Sequence, residues 1–417
     1  MALHCLSAPG CKPESMLVLG IESSCDETAA AVVENGERIL SSVVASQVLT
    51  HERFGGVVPE LASREHLRKI VPVVQEAGRV ASVGLEDIGG VAVTEGPGLI
   101  GSLLVGLVYG KALALSLEKP LVGVNHLEGH IHGVLLENKI ARNRGQDVEE
   151  ARFPNVTLVV SGGHTSLFRV EMQRSAVSSR QNAVGSDRAH GLPFAANSAP
   201  NAPIFSYTRL GQTRDDAAGE AFDKVAKLLA LGYPGGPILD RLARSGNPHA
   251  VDFGRVRMKG NPLDFSFSGL KTAVLYRVRG TSLEVEAYQR RIWRESAGRA
   301  TTTEEILSHC SQATLDLVAS FQNAVVTDLM ERTLAAADSC RVPCVFVSGG
   351  VACNSVLRER FVDAAKHTGL QIFFPSQALS TDNAAMIAAA GYYKLLAGQR
   401  ADYSLTAHAS LPLGSSR

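Results

Sequence analysis

Two histidines four residues apart, His126 and His130, lie in the run GVNHLEGHIHG (123–133). Imidazoles at this spacing leave one face of a helix together, which is how many proteins hold a divalent metal ion. In metalloprotease helices a glutamate directly follows the first histidine and acts as general base. Here the glutamate comes one place later. At roughly 100° per residue, Glu128 points roughly 200° away from His126 and cannot fill that role. Two helix-surface or capping histidines would show the same spacing, and His132 follows two residues on. Two imidazoles leave coordination positions open, so a catalytic metal needs a third protein ligand. The leading candidate is Asp382 in LSTDNAAMIAAAG, at a strand-to-helix junction where aspartate is also a common N-cap.

A second chemistry is suggested by backbone-lined turns. In VVSGGHTS (159–166) two glycines follow an apolar strand, so the backbone of Val159, Val160, Ser161, Gly162 and Gly163 can approach an anionic or polar ligand closely. A tight β-turn is the alternative. VFVSGGVACN (345–354) repeats the device ahead of a helix starting near Val351 and ends in Asn354; the N-terminus of such a helix favours electron-rich groups. Two Ser-Gly-Gly turns together favour a nucleotide. Neither has the Gly-Lys-Ser/Thr of a P-loop, which disfavours NTPase chemistry of that type. The run DDAAGEAFDKVAKLLALGYPGGP (215–237) predicts a helix with Asp216, Glu220 and Asp223 on a polar face and Val225, Leu228 and Leu229 inward. Asp223 could accept the paired hydroxyls of a ribose, and the glycine turn containing Gly236 could let an adenine lie on backbone. A solvated acidic face with a glycine stop explains the same residues. Glu22 and Asp26, in GIESSCDET (20–28), are candidate proton acceptors or loop hydrogen-bonding groups. No Gly-x-Ser-x-Gly occurs and Cys25 has no identifiable histidine partner, so acyl-enzyme hydrolysis has little support.

These groups need a scaffold that brings strand ends together. Strand-like runs from Met16, Gly89, Val156 and Cys344 break into glycine or small polar residues. Helical patterns at 58–76, 98–117, 216–231, 311–337, 351–367 and 383–397 alternate with them. Near-continuously apolar strands between helices imply parallel sheet covered on both faces, with ligands at the carboxyl ends of the strands. The pattern recurs in both halves, which predicts two related α/β lobes with a cleft between. Residues 174–213, rich in Ser, Ala, Asn, Pro and Gly without periodicity, read as a mobile insertion. A second polar stretch, 277–303, holds Arg277, Arg279, Arg290, Arg291, Arg294, Arg299 and the only tryptophan, Trp293. With Tyr288, these arginines could meet phosphates and a stacked base, or form a solvated helix face.

With 417 residues, 45% apolar and 20% charged, the chain reads as soluble, globular and long enough for about two or three domains. Its formal net charge of zero advertises no global field for nucleic acid or membrane. The seven cysteines form no regular framework and read as reduced cytosolic thiols. Residues 1–15 lack a signal-peptide pattern and read as a disordered extension. The longest apolar run, 101–117, is interrupted by Lys111 and three glycines, which suits a buried helix better than a membrane span.

Taken together, GIESSCDETAAAVV, GGVVPELASREH, TEGPGLIGSLLVG, NHLEGHIHG, LVVSGGHTSL, DDAAGEAFDKVAKLLALGYPGGP, FSFSGLKT, VSGGVACNSVLR and STDNAAMIA resemble the universal tRNA threonylcarbamoyltransferase family (Kae/Qri/TsaD), in its bacterial TsaD branch. The resemblance implies an α/β, two-lobed actin-like fold with a central cleft, the ASKHA fold shared with sugar kinases and Hsp70. On that fold lobe I covers 16–150 and lobe II 151–383, with a C-terminal helix at about 384–410 packing back on lobe I. The implied reaction moves a threonylcarbamoyl group from threonylcarbamoyl-AMP to N6 of the adenosine next to the anticodon, in tRNAs reading codons that begin with A. The family's metal ligands fall on His126, His130 and Asp382, with one Fe2+ per subunit and Zn2+ as the alternative. Its adenylate-binding positions fall on 159–163, Asp223, Gly236 and Asn354. Implied partners are tRNA, a paralogous dimerisation subunit (TsaB) and a small ATPase (TsaE), in the cytoplasm and away from membranes. The glycine-spaced helix 98–117, with Gly101, Gly106 and Gly110, would permit close packing on such a partner or within its own lobe. The stretches 174–213 and 277–303 are longer than the usual family connections. Two other readings stand beside this one: a metal-dependent glycoprotein peptidase, and a non-catalytic nucleotide-binding switch of the Hsp70/actin type.

Overall fold

A computed structural model describes residues 15–52, 54–175, 199, 201–255, 258–299 and 301–416. The expected N-terminal extension, apart from Ser15, and residues 176–198 and 200 of the first expected insertion lie outside the described residues.

The first lobe is built on β1 (Leu17–Glu22), β2 (Glu27–Glu34), β3 (Arg38–Ser46), β4 (Gly90–Gly96) and β5 (Leu121–Asn125), in the order β3-β2-β1-β4-β5. β1, β2 and β3 pair antiparallel, and β4 and β5 continue parallel to β1. Its helices are α1 (Val48–Glu52), α2 (Pro59–Ala81), α3 (Ile100–Ser116) and α4 (His126–Asn143). The second lobe repeats this wiring with β6 (Asn155–Val160), β7 (Thr165–Arg174), β8 (Pro203–Gln212), β9 (Cys344–Ser348) and β10 (Gln371–Phe373), in the order β10-β9-β6-β7-β8. A short β11 (Ser415–Ser416) is added parallel to β8. Between β8 and β9 run α5 (Ala218–Leu228), α6 (Gly235–Ala243), α7 (Ser268–Val278), α8 (Ser282–Ser296), α9 (Thr303–Ser308) and α10 (Gln312–Cys340). α11 (Ser355–Thr368), α12 (Gln377–Ser380) and α13 (Ala384–Leu396) close the chain's helices. The same strand order and the same mix of antiparallel and parallel pairing in both sheets is the duplicated actin-like fold.

The apolar runs of β1 alternate as a doubly covered strand must. Val18 faces a core with Ala384, Ile387 and Ala388 of α13, while Leu19 and Ile21 face another with Ile70, Val74 and Leu107 of α2 and α3. α13 packs against β1 and β4, so the last helix lies on the first lobe's sheet. Gly20 permits that approach, since a Cβ there would collide with the Ala384 carbonyl. In the second lobe one large core joins β6, β9, α5, α6 and α10.

Two expectations are corrected, and one left open is decided. Within 174–213, residues 203–212 are β8, paired along β7 from Arg174 to Ser166; its alternation holds over 203–207 and breaks toward the register shift opposite Leu167 and Phe168. Within 277–303, residues 282–296 are the helix α8, capped by Thr281. Its Arg290 is 2% exposed, and the guanidinium donates to the Leu229 and His309 carbonyls and pairs with Glu286; Trp293 stacks on His309 with centroids 3.8 Å apart. A buried, fully bonded arginine is a structural anchor and not a phosphate contact. Finally, the glycines of α3 pack inside their own lobe: a Cβ on Gly101 would strike Ser63, on Gly106 Ser23, and on Gly110 Val93. The outward face of α3 instead carries Ile100, Leu104, Val108 and Leu115, each about half exposed, beside Leu67 and Val71 of α2. Among the described residues no helix is long and apolar enough to cross a membrane.

Candidate metal centre and nucleotide cradle

α4 starts where it does because Asn125, extended at φ −70° and ψ 131°, accepts the Leu127 N–H on Oδ1 at 2.9 Å. β5 runs straight into this cap, so His126 stands at the carboxyl end of a parallel strand. His130 follows one turn later, with ring centroids 4.7 Å apart. Asp382 arrives from the turn ahead of α13. That helix is capped by its neighbour Asn383, which accepts the Met386 N–H at 3.0 Å, so the Asp382 carboxylate is not engaged as the cap.

The three residues meet at one point. Asp382 Oδ1 lies 3.5 Å from His126 Nε2 and 3.3 Å from His130 Nε2, and one donor atom from each residue falls within 4.8 Å of the others. His130 is fully buried, yet neither of its ring nitrogens has a hydrogen-bond partner. An orphaned polar atom in an interior is costly, and a cation shared by two imidazoles and a carboxylate would satisfy Nε2, the nitrogen that faces Asp382. The donor set therefore fits a divalent metal with positions left over for a ligand.

Behind His126, Nδ1 is held by Glu22 Oε2 at 3.0 Å and Ser24 Oγ at 3.2 Å. Glu22 is itself completely buried and accepts from Ser24 N at 2.5 Å and Thr94 Oγ1 at 2.7 Å. Of the two roles open to Glu22, these contacts fit loop hydrogen bonding: its carboxylate is engaged by Ser24, Thr94 and His126, the geometry of a group that orients an imidazole. Burial favours the protonated acid, but His126 and the Ser24 bond outweigh it and hold the Glu22 pKa below the ordinary range. Burial likewise disfavours a charged His126, yet Asp382 and Glu22 raise it to about 9. Asp382 is held low despite its burial, chiefly by His126 and His130. His130 is depressed by burial and by its charged neighbour His126.

Glu128 faces away, as its angle on the helix requires. It accepts from Tyr207 at 3.2 Å and pairs with Lys394 at 2.9 Å. His132 is no ligand either, being buried against Phe205 and Tyr393 with Nε2 3.0 Å from the Tyr207 hydroxyl.

The two Ser-Gly-Gly turns leave adjacent parallel strands at the same sheet edge, because β6 and β9 pair with Val159 opposite Ser348. Ser348 Oγ donates to the His130 carbonyl at 2.7 Å, tying this edge to α4. The first turn closes through Ser161 N to the His164 carbonyl at 2.8 Å, and α5 begins against it, since a Cβ on Gly219 would press on Ser161 and Gly162. Gly162, Gly163, Gly236 and Gly350 face open space: a Cβ on any of them would meet nothing within 4 Å. Val159 and Val160 have fully buried side chains, so only their backbone is on offer. Asp223 accepts the Gly235 N–H at 2.7 Å at the start of α6, and burial, with a contribution from Asp26 across the cleft, pushes its carboxyl up to about 6.

Asn354, also expected at the nucleotide, stands at the start of α11. Its Oδ1 caps α11 through Leu357 N at 3.0 Å and its Nδ2 donates to Gln322 at 2.9 Å, so both ends of the side chain are engaged by the fold. Sequence reasoning also missed three neighbours of the metal point. Ser24 and Thr94 serve Glu22, and His164 lies 6.2 Å from His126, ring to ring, held neutral down to about 4 by burial beside His126 and His130. All three sit within motifs already singled out, where only their turn neighbours had been weighed.

The family model described as TsaD, tRNA N6-adenosine threonylcarbamoyltransferase, matches residues 38–189 and 201–389. A relative of that name from Koribacter versatilis (strain Ellin345) is 50% identical over 410 residues, covering 95% of this chain and 99% of the relative. Another of the same name, from Symbiobacterium thermophilum, is 48% identical over 398 residues, covering 95% and 97%. Among solved structures, T. kodakarensis HypF aligns with 91% of this chain and 48% of its own at 12% identity and a TM-score of 0.48.

Proposed function

Since the chain belongs to the tRNA N6-adenosine threonylcarbamoyltransferase family, TsaD, an acyltransferase family acting on tRNA, we propose that it transfers threonylcarbamoyl from threonylcarbamoyl-AMP to N6 of the adenosine next to the anticodon. The tRNAs concerned read codons beginning with A. The observation carrying this reading is the convergence of the His126, His130 and Asp382 donor atoms with two Ser-Gly-Gly turns tied to the same helix through Ser348 and His130. A mixed-anhydride donor with a nucleotide leaving group suits such a pair of sites.

In the proposed step N6 attacks the carbamoyl carbon, a C–N bond forms, and the C–O bond to phosphate breaks, AMP departing with the electron pair. The backbone at Gly162, Gly163 and Gly350 receives the phosphate and ribose, while Gly236 and Asp223 border the nucleoside. The metal, iron in our reading with zinc as the alternative, would supply Lewis acidity and a grip on the threonyl group. Glu22 and Ser24 orient His126 toward it. Asp26, 9% exposed and close enough to Asp223 to affect its ionisation, is the carboxylate proposed to accept the N6 proton. Because an exocyclic amine is a weak nucleophile, holding it in near-attack geometry contributes more than base strength.

The half-exposed apolar stripe on α3 and α2 is the surface proposed for a paralogous dimerisation subunit, TsaB. A small ATPase, TsaE, completes the proposed cytoplasmic assembly, and a separate synthase supplies the adenylate. The peptidase reading is disfavoured by Glu128, which is engaged by Lys394 and Tyr207 away from the metal point.

The test is nucleoside mass spectrometry on an unmodified tRNA of this class, incubated with the protein, bicarbonate, threonine, ATP and the synthase, with and without the two partners. Threonylcarbamoyladenosine that disappears with His126→Ala supports the reading. No product with matched partners and a verified adenylate supply refutes it and favours the nucleotide switch.

A further inference from the structure

The chain does not end at α13. Its last stretch leaves that helix at the outer strand of the first lobe, where Ala401 N donates to the Leu121 carbonyl at 2.8 Å beside an antiparallel bridge. It then crosses the carboxyl ends of the strands. Lys111 on α3 donates to the Tyr403 carbonyl at 2.9 Å, His408 N to the Glu95 carbonyl at 2.8 Å, and Gly98 N to the Ala409 carbonyl at 3.2 Å. Next it passes the base of the metal-bearing helix, where Asn125 Nδ2 donates to the Leu411 carbonyl at 3.0 Å. Leu413 is buried in a cluster with Leu127 and Ile131 of α4 and with Val159, Phe168, Val170 and Tyr207 of the second lobe. Gly414, at φ +69°, crosses the Tyr207 carbonyl so closely that a Cβ would collide, and residues 415–416 then add to β8. The segment starts on one sheet and finishes in the other, passing the metal helix between them.

Asn125 is where this strap and the metal site share one side chain. Its oxygen caps α4 and its amide holds the strap, while the next residue is the ligand His126. A residue in the first turn takes its direction from the cap, and first turns fray unless held. His130, one turn further in, has the helix ladder behind it.

We propose that Asn125 is a positioning residue through which the C-terminal segment 401–416 sets the direction in which His126 presents Nε2. The inference rests on the metal reading of His126, His130 and Asp382, and goes beyond it by giving the tail a role at the site. Deleting the tail and deleting its bond from Asn125 should then act on the same quantity and should not add.

The test uses the full-length protein freed of metal and titrated with Co2+, following the visible absorption of the bound ion, with a thermal melt on each sample. Asn125→Ser keeps a capping oxygen but loses the amide donor. It should weaken Co2+ binding about tenfold, the scale for an outer-shell partner of a metal ligand, and shift the cobalt spectrum with little change in melting. A chain ending at Ala409 should show the same spectral shift, and combining it with Asn125→Ser should add nothing further to the affinity loss. Lys111→Met, which removes a strap contact far from Asn125, should leave both readouts unchanged. Wild-type affinity and spectrum in Asn125→Ser overturns the proposal, whether or not the shortened chain folds; so does an additive loss in the combined variant. Wild-type protein that takes up no Co2+ would sink the metal reading itself.

Discussion

Glu22→Gln separates an orienting carboxylate from a catalytic base. In the native site Oε1 accepts the Ser24 N–H, while Oε2 faces both the Thr94 hydroxyl and His126 Nδ1. The amide oxygen of Gln must keep the Ser24 position, because placing its NH2 there would set two donors against each other. The NH2 then faces His126 Nδ1 and the Thr94 hydroxyl, which can rotate to accept. Such a donor stabilises the imidazole tautomer that carries its proton on Nε2, the nitrogen aimed at Asp382 and needed by the metal. Metal binding must then reverse the tautomer and forgo one charge-assisted hydrogen bond, worth about 1.5–3 kcal/mol. That corresponds to roughly one to two powers of ten in metal affinity. Equilibrium titration of the metal-free variant with Zn2+ or Co2+ against a competing chelator measures this directly, and turnover is then taken at saturating metal. The expected outcome is a large loss in affinity with much of the turnover recovered once the site is filled. Unchanged affinity with turnover lost at every metal concentration would show that Glu22 acts on substrate, and the geometric argument would be wrong.

Other consequences follow from the same contacts. In metal-free protein the His126 pKa is raised to about 9, so its stabilisation is fully present below the unfolded value near 6.5 and is lost as pH rises through about 9. Melting temperature of the apoprotein should fall across that window, and metal uptake at neutral pH should release a proton measurable in weakly buffered solution. Gly236→Ala lies in the first turn of α6 with open space around its Cβ; it should leave stability unchanged or raise it by up to about 1 kcal/mol, while weakening AMP binding in calorimetry. If affinity for AMP is unaffected, the cradle is misplaced. Asn354→Ala should destabilise the fold by about 1–2 kcal/mol in denaturant unfolding, through loss of the α11 cap, with a much smaller effect on nucleotide affinity than Gly236→Ala. Glu128→Gln should keep metal affinity and transfer near wild type, since Glu128 points at Lys394 and Tyr207; metal-dependent peptide hydrolysis that this change abolishes would restore the peptidase reading.

Much of the scaffold is legible along the chain because several strands are short apolar runs that end in glycine or small polar residues, and its helices are either amphipathic, as α2 and α5 are, or long apolar runs, as α3 and α13 are. β1, β4, β6 and β9 fall where the runs from Met16, Gly89, Val156 and Cys344 predict them, and α2, α3, α5, α10 and α13 overlap their predicted spans. The His126 and His130 pair could be read because four residues are about one helical turn, a purely local relation, and Glu128's outward direction followed from the same period. What lay beyond reach was decided by contacts between distant segments. Asp382 could have been a cap or a ligand; the choice fell to Asn383, and to Gly20, which admits α13 close enough to bring the carboxylate to the histidines. Glu22 could be read as a proton acceptor or as a loop hydrogen-bonding group, and its partners His126 and Thr94, over 70 residues away, are out of reach of any local pattern. Arg290 has the composition of a surface residue and the position of a core one, because the carbonyls of Leu229 and His309 meet around it. Local periodicity is set by backbone geometry that every segment carries with it. The duty of a polar side chain is set by which donors and acceptors the folded chain leaves beside it, and only the tertiary structure makes that allocation.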